Sequence, residues 1–375
     1  MANHRPRTRN ILFASAFHAG SHRAWLEGFM RHTRHRCRAA TLPGQFWKWR
    51  MQGGAAELAR QVRAITATGF RPDVLVATDM VNLAALLGLA RDALPGSMHT
   101  VLYMHENQLT YPGRHRPDRS LPLVNWLSQL AADHIVFNST FHRDDWFAHL
   151  PHLLANVPDL PETASVPLLQ VRSAVLPIGL DFPAATPSAV RQDGPLHILW
   201  NHRWEQDKRP DRFCALLHRL HNAGIPFKVS FAGEPGAHTP PAMVSAREQL
   251  DEHIDHWGYL DSRADYWELL YRADLVVSTT DHEFFGLSVL EALGSGAMPL
   301  LPHGFSYPEL IPERWHATCL YRDADDLYDR VGKLAGTNTR APAALVRHVR
   351  HRFSWPSVAA AYDEWLDNLG RPGTS

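Results

Sequence analysis

Cysteine is scarce in this chain. Cys37, Cys214 and Cys319 are its only three, far apart and without paired spacing, which argues against a disulfide framework or a zinc knuckle. An apolar run of about 18 residues is also missing, and the first residues are charged, so neither a spanning helix nor a signal peptide is expected. Net charge is zero: 38 Lys plus Arg balance 38 Asp plus Glu. Bulk electrostatics therefore select no polyanionic partner. Together these absences predict a soluble protein of a reducing cytoplasm.

What is present is size and order. The 375 residues, 45% of them hydrophobic, suffice for two domains with separate cores. Charge is unevenly spread: residues 1–50 hold Arg5, Arg7, Arg9, Arg23, Arg31, Arg34, Arg36, Arg38, Lys48 and Arg50 against the single acid Glu27. Short apolar runs recur at 10–16, 73–79, 99–105, 133–139 and 173–179, then again at 196–202, 227–233, 253–259, 273–280 and 297–303. Each ends in polar or small residues and reads as a buried parallel strand, so two successive doubly wound α/β units are predicted. The proline-rich stretch from Asp181 to Pro195 reads as a linker, with the boundary near 185. The segment 150–167, also punctuated by proline, reads as a surface excursion. Ligands of open α/β sheets sit beyond the carboxyl ends of the strands, which makes a cleft between the two units the default site.

Four stretches carry chemistry. In "DHEFFGLSVLEALGSG", Glu283 and Glu291 lie eight positions apart, with Gly286 opening an apolar helical run. Carboxylates accept hydrogen bonds from vicinal hydroxyls, and amides at a helix start donate to phosphate. The bland alternative is an amphipathic helix with Glu283 as its cap and Glu291 solvated. In "ILWNHRWEQDKRPD", Arg203 and Lys208 follow a buried strand and precede a helix, as a diphosphate clamp requires, although a charged surface loop would look the same. In "QFWKWR", Trp47 and Trp49 interleave with Lys48 and Arg50, fit to stack on unpaired bases and meet phosphates; the alternative places one indole in the core and the cations in water. In "VLYMHENQLTYPG" a strand ends on His105, Glu106, Asn107 and Gln108: a metal site, an acid/base pair, or merely a polar strand end. The 24 histidines show no ligand spacing, His32, His35, His142 and His149 included, so no metal is expected.

"EFFGLSVLEA" resembles the E-x7-E motif of retaining nucleotide-sugar glycosyltransferases of the GT-B fold, family 4, and "WNHRWEQDKRPD" resembles their diphosphate-binding loop. Residues 350–369 look like the final helix of those enzymes. "AGSHRAWLEGF", "LPGQFWKWRMQG" and "YMHENQLTYP" narrow the resemblance to the tRNA-queuosine α-mannosyltransferase family. Two departures are visible: Ala19-Gly20 stands where that family is expected to carry two glycines, and proline-rich insertions near 150–167 bear on which acceptor fits.

The resemblance implies a GT-B fold of two Rossmann-like domains facing across a cleft. Residues 1–185 would bind the tRNA acceptor and 186–350 the nucleotide sugar, with a helix in 351–375 crossing back to the first domain. It implies transfer of mannose from GDP-mannose to the cyclopentene diol of queuosine in a tRNA anticodon, with retained configuration and no essential metal. Arg203 and Lys208 would neutralise the departing diphosphate, helped by amides near Phe285, Gly286 and Leu287. Glu283 would meet sugar hydroxyls, Glu291 the ribose, and Gly20 and Ser21 the diphosphate. His22 would lie near donor or acceptor, and His105 near the transferred sugar. Glu106, Asn107 and Gln108 would grip acceptor hydroxyls, with Glu106 the candidate base, and Trp47, Lys48, Trp49 and Arg50 would meet the RNA. The rivals are a family 4 enzyme acting on lipid or polysaccharide, using residues 24–38 as a short basic-apolar helix, and a non-catalytic RNA-binding module on the same frame.

Overall fold

A computed structural model of the chain describes residues 8–111, 118–184, 194–236, 238–337 and 340–370. Most of the expected linker, and Arg5 and Arg7 of the basic segment, lie outside these residues. Two compact units are present, one of residues 1–179 with 355–375, the other of 180–354. The chain passes between them at Gly179/Leu180 and at Ser354/Trp355, a few residues from the sequence-derived boundaries at 185 and 350. All three cysteines are free.

The first unit holds a parallel sheet of β1 (Asn10–His18), β2 (Arg36–Pro43), β3 (Val74–Thr78), β4 (His99–Met104), β5 (His134–Phe137) and β6 (Ser173–Val175), in the order β2-β1-β3-β4-β5-β6. Five strands coincide with expected runs. β2 does not: as the edge strand it is buried only at Ala40 and Leu42 and carries Arg36 and Arg38, so it has no continuous apolar run to betray it. Every residue of β3, by contrast, is buried.

The second unit repeats the plan with β7 (Leu196–Trp200), β8 (Phe227–Ala232), β9 (Ile254–Gly258), β10 (Leu275–Val277), β11 (Met298–Pro302) and β12 (Leu320–Tyr321), in the order β12-β11-β10-β7-β8-β9. Strand order reverses direction at β1/β3 in one sheet and at β7/β10 in the other. Such topological switch points leave a crevice where the neighbouring connections diverge to opposite faces.

Two local expectations change. Residues 150–155 belong to the Thr140–Ala155 helix despite Pro151, with Leu150, Leu153 and Leu154 buried, so the surface excursion begins only after that helix. Burial of three leucines outweighs the backbone bond that proline removes. Residues 24–38 are not one amphipathic helix: the Gly20–His32 helix ends at Thr33, β2 starts at Arg36, and Trp25, Leu26 and Phe29 are in the core. No described helix is long and apolar enough to cross a membrane.

The Trp355–Asn368 helix belongs to the first unit, where Trp355 is 1% exposed and lies against Gly28 and Gly179. Tyr362 Oη accepts a hydrogen bond from Trp25 Nε1 at 3.1 Å and donates to the Leu176 or Pro177 carbonyl, tying the helix to the strand-1 and strand-6 connections.

Candidate active site

At the switch point of the second unit, the loop after β7 carries Asn201, His202, Arg203, Asp207 and Lys208. It is fastened to the loop after β10: Thr280 Oγ1 and the Asp281 amide both donate to the Asp207 carbonyl, at 2.9 and 2.8 Å. Lys208 Nζ then lies 3.1 Å from Glu283 Oε2, 3.3 Å from Asp207 Oδ2 and 3.2 Å from the His282 carbonyl. Burial works to discharge Lys208, but Glu283 and Asp207 outweigh it and raise its pKa. Burial likewise pushes Glu283 up, and Lys208, His202 and the Phe285 amide bring it below the usual carboxylate range. The result is a charged pair at neutral pH. His202 is driven down to about 3 by burial and by Lys208, so it stands neutral beside that pair.

Gly286 caps the Leu287–Gly294 helix with φ of +97°, a conformation that side chains resist, and a Cβ there would come within 3.1 Å of Tyr307. The first amides of the helix have no intrahelical acceptor. Of the three amides expected to serve an anion, that of Phe285 already donates to Glu283 Oε1 at 3.3 Å. Glu291 is not the solvated helix residue of the bland reading. Its carboxylate is nearly buried and takes Arg263 Nη2 at 2.7 Å on one oxygen and Tyr266 Oη at 2.9 Å on the other, with Asn201 Nδ2 donating to the same Tyr266 oxygen. Arg203 is more than half exposed, with Glu205 at 3.5 Å.

The first unit assembles its own cluster from adjacent strand ends: His22 follows β1, Asp79 follows β3, His105 follows β4 and Asn138 follows β5. The His22 and His105 rings stack with centroids 4.0 Å apart. Asp79 Oδ1 accepts from the His105 amide at 3.2 Å and faces its Nδ1 at 3.3 Å, while Asn138 Nδ2 donates to the His105 carbonyl at 2.7 Å. His142 Nδ1 lies 2.9 Å from Asn138 Oδ1. Burial raises Asp79 to about 6, against the pull of His22 and of backbone amides, and lowers His105 to about 3. His105 Nε2 is buried with no hydrogen-bond partner among the described residues. His22, Asp79 and His105 each offer a ligand atom, all within 4.8 Å of one another. That corrects the expectation that no ligand cluster exists: the three are brought together by topology, which sequence spacing does not reveal, and they fit a divalent cation by donor type.

Gly20 alone takes positive φ (+50°) at the turn after β1, and Gly20 and Ser21 are exposed there. Glu106 Oε1 accepts from Gln108 Nε2 at 3.0 Å. Asn107 is fully buried, its Oδ1 accepting the Leu109 and Thr110 amides at 3.0 Å, so it shapes the turn, while its Nδ2 has no hydrogen-bond partner among the described residues. In "QFWKWR", Trp47 packs partly on the core with Lys48 Nζ 5.4 Å from its ring centroid, whereas Trp49 is 72% exposed. Arg50 reaches back to the Pro43 carbonyl.

Asp79, Asn138, His142, Asp207, Arg263 and Tyr266 escaped sequence reasoning. Asp79 and Asn138 end apolar runs and could have been found by the strand-end rule. Arg263 and Tyr266 sit on the helix after β9; Arg263 joins the site through Glu291, and Tyr266 through Glu291 and Asn201.

Residues 10–180 match the family described as tRNA-queuosine alpha-mannosyltransferase N-terminal, and residues 182–335 match Glycosyl transferases group 1. A tRNA-queuosine alpha-mannosyltransferase of Drosophila melanogaster is 31% identical over 316 residues, covering 81% of this chain and 82% of that one. A GDP-mannose-dependent alpha-(1-6)-phosphatidylinositol dimannoside mannosyltransferase of Mycobacterium tuberculosis is 24% identical, covering 82% and 77%. Among solved structures, Anabaena HepE in complex with UDP and glucose superposes with a TM-score of 0.68 at 16% identity, covering 96% of this chain and all of that one. The lipopolysaccharide outer core galactosyltransferase WaaB gives 0.65 at 11% identity, covering 95% and 99%. Those likenesses show the GT-B fold. The chain is a glycosyltransferase, and it belongs to the tRNA-queuosine alpha-mannosyltransferase family.

Proposed function

We propose that this chain transfers mannose from GDP-mannose to a ring hydroxyl of queuosine in tRNA, with retention at the anomeric carbon, and that it acts in the cytoplasm. The observation that carries the reading is the largely buried Lys208–Glu283 pair beside the Gly286 helix start, in a chain whose first unit matches the queuosine family. In the transfer, the acceptor hydroxyl oxygen forms a bond to the anomeric carbon as the bond from that carbon to the diphosphate breaks, and the hydroxyl proton passes to the leaving diphosphate oxygen on the same face of the sugar. Negative charge grows on the leaving group, so cations placed there lower the barrier rather than merely binding substrate.

Lys208 arrives as a fixed ammonium, held charged by two carboxylates. Lys208 meets the charge that grows on the leaving diphosphate, and the exposed Arg203 and the helix-start amides of Gly286 and Leu287 add to it. Glu283 and Glu291 serve the sugar and ribose hydroxyls. In the first unit, His105 Nε2 and Asn107 Nδ2 are the buried polar atoms ready for a sugar, and His22, Glu106 and Gln108 line the acceptor side. The protein's own cations hold the diphosphate, and no step is assigned to a metal.

Incubation with labelled GDP-mannose and bulk tRNA tests this. Label in tRNA that contains queuosine and not in tRNA lacking it is the expected result. Label in a lipid extract and in neither tRNA would transfer the reading to a lipid acceptor, as in the mycobacterial relative's name.

A further inference from the structure

Five consecutive residues of the first unit break several local rules at once. Phe46 holds a left-handed backbone (φ +52°, ψ +41°), which a bulky side chain adopts only at a cost. It caps the Trp47–Ala67 helix without any side-chain bond to the helix amides. The first turn of that helix has no acid and instead carries Lys48 and Arg50, so its positive end is left uncompensated. Phe46 and Trp49 are 75% and 72% exposed, the most exposed aromatics among the described residues. Of the five, Trp47 packs on the core, Arg50 bonds the Pro43 carbonyl and the Trp49 indole leans on Gly53, but among the described residues no packing covers the rings of Phe46 and Trp49. Violations clustered in this way mark a functional surface.

From this clustering we infer that Phe46 and Trp49 form a stacking platform for unpaired bases of the acceptor RNA beside the modified nucleoside, with Lys48 and Arg50 meeting its phosphates. The inference rests on the proposed tRNA acceptor and adds a contact beyond the queuosine ring itself. Location supports it: a Cβ at Gly44 would lie 2.1 Å from the Ala19 methyl, so the loop carrying Phe46 packs on the residue that precedes Gly20, Ser21 and His22. The platform is thus continuous with the strand-end site. Its two indoles differ in kind, because Trp47 packs on the core and only Trp49 is available to a base.

A membrane is the competing occupant for exposed aromatics between cations. Bilayer binding by a helix needs an apolar face several turns long. Here that face (Met51, Ala55, Leu58, Val62) is spent in the core, which leaves two rings and favours flat, separate partners such as bases.

The test is equilibrium binding of queuosine-containing tRNA to the full-length protein, followed by fluorescence anisotropy. Trp49→Ala should raise Kd about tenfold or more, as loss of one stacked base does. Phe46→Gly should also weaken tRNA binding while holding or raising the melting temperature, since glycine accepts positive φ. Trp47→Ala should lower the melting temperature instead. Wild-type affinity for tRNA in either Trp49→Ala or Phe46→Gly overturns the proposal, as does a wild type with no tRNA affinity. Binding to vesicles of anionic phospholipid that is lost in Trp49→Ala, with tRNA affinity unchanged, reassigns the surface to a membrane. Binding is read without chemistry, so a wild type that binds tRNA through Trp49 and adds no mannose leaves the platform standing and removes the proposed function.

Discussion

Lys208 shows how much one side chain is asked to do. It is buried, it is ionised because Glu283 and Asp207 hold it so, and it lies where a leaving diphosphate would accumulate charge. Lys208→Ala should lower kcat at saturating donor by about 10²-fold or more, while Arg203→Ala, at an exposed position, should act more on the KM for donor. Normal turnover in Lys208→Ala would remove the clamp from the account. His105 and His202 supply a pH prediction. Both are held down to about 3 against an ordinary value of 6.5, so the fold keeps them neutral where the unfolded chain protonates them. Their stabilisation is complete above about pH 6.5 and is lost as pH falls toward about 3. Asp79, raised to about 6, works in the opposite sense between 6 and its ordinary 3.8, and offsets part of the loss in its own unit. The melting temperature should therefore fall on acidification below about pH 6.5, and His202→Gln should flatten that slope. A slope identical to wild type in His202→Gln contradicts the assignment. The His22, Asp79 and His105 cluster has its own discriminating measurement. Transfer should survive chelation, and loss of activity in chelator with recovery on adding a divalent ion would assign those three as ligands.

Elements were legible where burial is continuous and obscure where it is not. Ten of the twelve described strands fall in expected runs, eight of them because a parallel strand covered on both faces leaves no room for alternation, while β6 and β9 are partly buried edges. The two that do not are edges: β2 has water on one side and β12 is two residues long. The site divides in the same way. Glu283, Glu291, Arg203 and Lys208 were readable as a motif, since one loop and one helix carry each pair. The Asp79, His105, Asn138 and His142 chain was not, since Asp79, His105 and the Asn138–His142 pair come from three separate connections and meet because β3, β4 and β5 are neighbours. The Trp355 helix yields a prediction of the same kind. Gly→Ala inside a helix is ordinarily stabilising by about 1 kcal/mol. At Gly28, however, the new methyl would sit 2.1 Å from the Trp355 indole. Gly28→Ala should instead cost about 1–3 kcal/mol and lower the melting temperature by several degrees. An unchanged or raised value would mean that the helix docks less firmly than its burial indicates.

At the scale of the whole molecule, two units of one architecture carry different chemistry at equivalent places. Each sheet reverses its strand order once, and each candidate cluster gathers where it does so. The second unit holds charge: an ammonium between carboxylates, a neutral imidazole and the open end of a helix. The first holds neutral His105 stacked on His22, buried amides and the single buried carboxylate of Asp79, backed by a basic and aromatic rim. This division suits a charged nucleotide sugar and a neutral diol on a polyanion. The central claim is that the diol of queuosine receives the sugar. Its most direct measurement is mass spectrometry of nucleosides digested from queuosine-containing tRNA after incubation with GDP-mannose and either the wild-type protein or Lys208→Ala. A queuosine nucleoside heavier by one hexose is expected with wild type, and far less of it with Lys208→Ala. Queuosine of unchanged mass, or the same hexose increment on a nucleoside from tRNA lacking queuosine, would contradict the claim.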